Sequence, residues 1–144
     1  MSMIKKEKTY LLSKPRNIPK PFELEGDLLR ECRSYLDSRE DLFFMRMEGS
    51  GKLIHQGGRP AMIASDSKGF PDLLIVSEGK IFAAELKILG KSMTQTQAKV
   101  ICGIVRAGGC SGIVCSPQGL RNFLDQTPHQ TSVETDFGAV AVWY

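Results

Sequence analysis

The sequence predicts a mixed α/β domain built around one sheet. Three observations point to it: helix-period segments alternate with short apolar runs, two adjacent runs are apolar on both faces, and Gly or Pro residues punctuate the boundaries. The chain has 144 residues, 42% of them apolar, which suits a single domain able to bury a core. Residues 1–21 carry six Lys or Arg against Glu7 alone, a balance of +5, whereas the remainder stands at −2. Pro15, Pro19 and Pro21 keep this first segment extended, so it is expected to be a basic, flexible arm ahead of a domain spanning 22–144. Charge alone fits equally an arm drawn to a polyanion such as nucleic acid and a solvated tail.

The elements follow in order. Leu24, Leu28, Cys32, Tyr35 and Leu36 recur at helical spacing, with Asp27, Arg30, Glu31, Arg33 and Ser34 on the other faces, which predicts an amphipathic helix ending before Asp41. LFFMRM, residues 42–47, reads as a strand. The stretch 48–60, EGSGKLIHQGGRP, is turn-rich, and PAMIAS after it adds a short strand or strand edge. DLLIV and KIFAAELK form a hairpin whose two arms are apolar on both faces, as in central strands covered on each side. Thr94 is an N-cap for a helix with Val100, Ile101, Ile104 and Val105 on one face, stopped by Gly108 and Gly109. GIVC, residues 112–115, is a buried strand, and Ser116 with Pro117 opens a helix running to about Asp125. QTPHQTSVETDF reads as a polar loop and GAVAVWY as a last strand. Phe137, Trp143 and Tyr144 either stack on bases or lie buried against the sheet or a partner subunit.

Cys32, Cys102, Cys110 and Cys115 include no CxxC pair and no disulfide-dense pattern, which predicts reduced thiols in a cytoplasmic protein. A zinc site from Cys110, Cys115 and His129 matches no standard ligand spacing. The first residues lack an apolar run of signal-peptide length, and no segment is long enough to span a membrane.

The hairpin carries charges in a place built for burial. With Glu78-Gly79 as a two-residue turn, Ser77 faces Lys80 and Asp72 falls opposite Glu85. Facing residues have Cβ atoms about 4.5–5.5 Å apart, and residues two apart share a face, so Lys87 joins them. A bulged turn would shift this register by one. Two facing carboxylates repel unless one keeps its proton or a cation lies between them. Mg²⁺ favours oxygen donors, commonly one or two carboxylates with water and phosphate completing the shell. The alternative is a Lys87 ion pair with one carboxylate and a second, wetted carboxylate at the strand end.

Pro71-Asp72, twelve residues, then Glu85-Leu86-Lys87 resembles the signature of the PD-(D/E)XK nuclease superfamily. More closely, residues 25 to about 125 resemble the virus-type replication-repair nuclease domain, VRR-NUC, of the stand-alone phage or prophage type. The ordered features are Glu25 opening a helix that ends in Tyr35-Leu36, Arg46 after an aromatic strand, Gly57-Gly58-Arg59, and Lys68-Gly69-Phe70-Pro71-Asp72. Glu85-Leu86-Lys87, Thr94 to Gln97 and Gly108-Gly109 complete the set. The resemblance implies a restriction-endonuclease-like core, a central mixed sheet flanked by helices in αβββαβ order.

It also implies a function: a Mg²⁺- or Mn²⁺-dependent endodeoxyribonuclease acting on branched DNA such as four-way junctions, as a homodimer. The setting would be phage replication, recombination or repair in the cytoplasm of a bacterial host, with no organic cofactor and no membrane. Asp72, Glu85 and the Leu86 carbonyl would hold one or two metal ions, with Glu25 completing the acidic site, directly or through water. Lys87 would align the attacking water and Gln97 would reach in from the second helix. Glu25 is equally placed to favour a helix dipole, and Gln97, three residues after Thr94, to close a capping box. Arg46, Arg59 and Lys68, with Lys14, Arg16 and Lys20 from the arm, are expected to hold phosphates. Arg46 has rival partners in Glu31 and Glu48, and His55 reads as a surface residue. Two other functions remain open: a binding module that does not cut, and a sequence-specific restriction-type endonuclease.

Overall fold

A computed structural model describes residues 7–18, 22–47 and 68–144, and the backbone of 52–56 and 59–63. The elements are β1 (Thr9–Leu11), α1 (Glu25–Asp37), β2 (Leu42–Arg46), β3 (Lys52–Gln56), β4 (Arg59–Ile63), β5 (Leu73–Ser77), β6 (Lys80–Leu86), β7 (Ser92–Thr94), α2 (Gln95–Arg106), β8 (Cys110–Val114), α3 (Pro117–Leu124), β9 (Thr131–Thr135) and β10 (Gly138–Trp143). Six strands make one mixed sheet in the order β2-β5-β6-β8-β10-β9, and β1-β7 and β3-β4 form two-stranded pairs. Within the large sheet β6 and β8, and β8 and β10, run parallel; the other neighbours are antiparallel. Between α1 and α2 lie six strands where the αβββαβ order expects three; β2, β5 and β6 join the large sheet, and β3, β4 and β7 lie in the two-stranded pairs.

Alternation along the strands sends side chains to two cores. On one face Leu73, Ile75, Phe82, Ala84, Leu86 and Val114 pack against Leu28, Cys32 and Leu36 of α1 and against Leu120 and Phe123 of α3. On the other, Ile113, Val140 and Val142 meet Ala98, Ile101 and Cys102 of α2, together with Tyr10, Leu12 and Met93. Covering β6 on both sides accounts for the apolar run Phe82 to Ala84 and Leu86 on it. It also makes Glu85, on this strand, costly to bury.

The helices start as their sequences dictate. Ser116 Oγ accepts from Gly119 N at 2.9 Å with Pro117 at the first helical position, and α2 begins with the reciprocal Thr94–Gln97 capping box. Helix α1 has no side-chain cap at Leu24 and places Glu25 and Asp27 in its first turn.

Three expectations are corrected. The segment expected as a flexible arm contributes β1, which pairs with β7 from Thr9↔Thr94 to Leu11↔Ser92 and buries Tyr10 and Leu12. The fold therefore takes in residues well before Phe22. The turn-rich stretch 48–60 contains β3 and the start of β4, which pair as a hairpin. The polar loop before the last strand contains β9, which pairs with β10 along its whole length. As a result β10 is interior to the sheet, between β8 and β9, and its edges are not open to a partner subunit. Residues 126–137 lack an apolar run, and β9 forms because an edge strand needs only half its side chains covered.

Candidate active site

The site begins with a tight turn. Glu78 and Gly79 both take positive φ, 52° and 75°, the backbone of a two-residue hairpin turn whose twist matches the flanking strands. It fixes the register at Ser77↔Lys80 through Leu73↔Ala84. No bulge intervenes, so Asp72, the next residue outward, lies opposite Glu85. The Leu86 amide donates to Asp72 Oδ2 at 2.9 Å, and the Asp72 carbonyl accepts from Met47 N at 2.8 Å. The Asp72 carboxylate is thus anchored to the main chain of β6, and its own main chain to the residue that follows β2.

Glu85 is 3% exposed. Burial, and then the negative charge of Asp72, push its carboxyl up to about 9, with Lys87 opposing. Burial also raises the Asp72 carboxyl, opposed by the Leu86 N–H and by the hydrogen bond from Glu85. Both carboxyls are thus shifted toward the protonated form, as two facing carboxylates are unless a cation lies between them.

Three further side chains close around the pair. Gln97 Nε2 donates to Glu85 Oε1 at 3.0 Å, while its Oε1 accepts from Thr94 N at 2.9 Å. The capping bond and the contact with Glu85 are therefore made at once by opposite ends of the Gln97 amide. Lys87, at the end of β6, lies with Nζ 3.7 Å from Glu25 Oε1; its side chain is 12% exposed and that of Glu25 50%. Lys87 N is held by Val114 O. Glu25, Asp72, Glu85, Lys87 and Gln97 thus come together from α1, the β5–β6 hairpin and α2.

The expected phosphate-holding residues are spread more widely. Lys68 is exposed and close enough to Glu7 to help lower that carboxyl. Arg46 is exposed at the end of β2, but it pairs with Leu73, which faces the α1 side, so it projects on the sheet face opposite Asp72. Lys14 and Arg16 are exposed beyond β1. Arg59 opens β4, with its side chain outside the described residues, as is that of His55; Lys20 and Glu48 lie outside them altogether. Glu31, the other rival partner for Arg46, is exposed on α1. Trp143 packs on Phe123 and donates Nε1–H to the Thr127 carbonyl at 2.9 Å, and Tyr144 and Phe137 border the second core.

Among the described residues no group of three or more His, Cys, Asp or Glu converges as a metal-ligand set. A zinc site at Cys110, Cys115 and His129 accordingly has no geometric support, and Cys115 is a buried thiol pushed up to about 12. The donor chemistry available beside Lys87 is two carboxylates and main-chain carbonyls. That is a hard-oxygen set of the kind Mg²⁺ or Mn²⁺ takes, and a cation between the two carboxylates would compensate their mutual repulsion.

Sequence reasoning missed the contribution of Glu7 and Lys8 to this region, where they meet the first turn of α2. The one signal in the sequence is that Glu7 is the sole acid in an otherwise basic segment. Among the described residues no helix is long and apolar enough to cross a membrane. Compared with protein-family models, curated proteins and solved structures, the chain matches none.

Proposed function

We propose that the chain is a Mg²⁺- or Mn²⁺-dependent DNA endonuclease of the VRR-NUC type, with a PD-(D/E)XK core, acting on branched DNA. The observation that carries this reading is the Asp72–Glu85 pair: two facing carboxylates, Glu85 buried and Asp72 half-buried, beside a lysine whose ammonium lies 3.7 Å from a third acid, Glu25. A structural ion pair would leave one acid for one base. Here the acids outnumber the base, and a divalent cation with a substrate phosphate balances the charge.

Asp72, Glu85 and the Leu86 carbonyl would hold the ion, which when bound supplies Lewis-acid polarisation of the phosphate and lowers the pKa of water. The chain's own groups do the rest. The Leu86 N–H and the Gln97 amide fix the two carboxylates in one orientation, which spares reorganisation when the substrate arrives. Lys87 aligns the attacking water and offsets negative charge developing on the phosphoryl oxygens, and Glu25 keeps its ammonium at the mouth of the site. Lys68 and the basic N-terminal residues hold the DNA backbone without reading bases, so recognition is by shape. In this reading two copies act as a dimer, one site per strand, and the setting is the cytoplasm of a phage-infected or prophage-bearing cell.

The test is cleavage of a labelled four-way junction and a matching linear duplex in Mg²⁺, Mn²⁺ or EDTA, beside Lys87→Ala. Metal-dependent cuts confined to the junction and lost in Lys87→Ala, with DNA binding and melting temperature retained, are expected. Binding without cutting under any metal would replace the enzyme with a binding module, and fixed fragments from random-sequence duplex would replace structure selectivity with sequence recognition.

A further inference from the structure

The four amide donors that open α2 all have acceptors, two of them from the N-terminal segment. Thr94 N donates to Gln97 Oε1 and Gln97 N to Thr94 Oγ1, which closes the capping box. Gln95 N donates to the Lys8 carbonyl at 2.9 Å, and Thr96 donates both its amide and its hydroxyl to the Glu7 carboxylate. With no orphan amide left, this helix terminus is closed to a substrate phosphate. Its role has to be sought in what it holds.

The first turn of α2 is gripped from two sides. Strand β1 is pinned by its pairing with β7, by Leu12 at 1% exposure, and by the Lys8 ammonium on Asp136 at 2.9 Å. Against the other side lies Gly69 at φ +79°, where an added Cβ would come within 2.5 Å of Thr96 Cγ2. The Thr96 donors hold the Glu7 carboxyl below its ordinary range, so it is charged at neutral pH and favours the positive end of the helix. Thr96 is followed by Gln97, whose amide has its oxygen committed to the cap and gives its Nε2–H to Glu85.

We infer that Glu7 is a positioning residue of the nuclease site, acting through Thr96 and Gln97 to fix the Glu85 carboxylate. The kinetic consequence rests on the nuclease reading; the structural one does not. Without Glu7, the Thr96 amide and hydroxyl turn to water, the first turn of α2 loosens, and the Gln97 amide no longer has one orientation toward Glu85.

The experiment uses the full chain with Glu7→Ala, Glu7→Gln and Thr96→Val, and two readouts. One is the side-chain amide NMR signals of Gln97 in metal-free protein. The other is kcat and KM for metal-dependent cleavage of a four-way junction. Glu7→Ala should move the Gln97 signals toward those of a solvent-exposed glutamine and lower kcat about tenfold, with KM within about twofold. Glu7→Gln, which keeps an acceptor oxygen, should retain most of both. In a Gln97→Ala background Glu7→Ala should cost nothing further in kcat, because the two act in series. Thr96→Val leaves β1 intact and should reproduce the change at smaller amplitude, so it decides the matter if Glu7→Ala does not fold. Unmoved Gln97 signals in the folded variants, or additive kcat losses in the double variant, would overturn the inference. If the wild-type chain cuts nothing, the nuclease reading falls, and the Gln97 signals still decide whether Glu7 holds this contact.

Discussion

Glu85 is the residue on which the proposed chemistry turns. Its carboxyl is raised from the ordinary value near 4.5 to about 9, first by burial and then by Asp72. In the unfolded chain it titrates near 4.5, so between those two values the folded state binds more protons than the unfolded one, and folding stability falls as pH rises. Thermal melts in EDTA should therefore show a melting temperature that declines from about pH 5 to pH 9. Glu85→Gln, which cannot ionise, should flatten the decline; a wild-type curve already flat over this window would mean that Glu85 is not the buried acid described here. Much of this residue-level picture is legible in the sequence, since a two-residue turn at Glu78-Gly79 is enough to set Asp72 against Glu85 and to bring Lys87 onto the same side. What the residues do not reveal is that capping and active-site contact are compatible for Gln97. That depends on the distance from the first turn of α2 to β6, which only packing sets.

Strand β1 is the element that sequence reasoning least anticipates. Three residues between lysines and prolines carry no periodic signal, and their burial depends on β7, itself only three residues long and more than eighty positions away. Once paired, the segment is structural. Leu12→Ala should destabilise the fold by about 2–5 kcal/mol, the usual cost of emptying a fully buried leucine site, measurable by denaturant unfolding. Deleting residues 1–20 would remove this core strand, so it cannot report on DNA contact alone. Deleting only residues 1–6, with Lys5 and Lys6, is the cleaner test. If that segment touches phosphates, the melting temperature should hold while the salt dependence of DNA binding loses about two counterions' worth of slope. An unchanged slope would place the segment away from DNA. Helices α1, α2 and α3 are legible because each carries an apolar stripe, and α2 and α3 also a capped start, and β9 is not, because an edge strand of alternating polar residues looks like a loop until β10 lies beside it.

At the scale of the whole molecule, the site lies where the ends of several elements converge, with β6 at its centre and contributions from both layers of helices. Glu25 arrives from α1 and Gln97 from α2, although those helices pack into different cores. A divalent ion taken up there would stabilise only the folded chain, because the unfolded chain has no such pair. Adding Mg²⁺ or Mn²⁺ should raise the melting temperature in a concentration-dependent way, and more at pH 8 than at pH 6, where the higher proton concentration makes the Glu85 proton costlier to displace. Asp72→Asn should abolish that response; a persisting shift would put the metal elsewhere. The sequence by itself determined the local grammar of this protein: the helix starts, the central hairpin, its register, and hence the facing acids with their lysine. These follow from turn chemistry and side-chain periodicity acting over a few residues. Only the tertiary structure decided that the N-terminal segment is a strand, that β10 is interior, and that Glu7, Gly69 and Gln97 meet at the head of α2. Those are pairings between distant segments, whose stability comes from surface buried jointly, and neither partner's sequence carries that information alone.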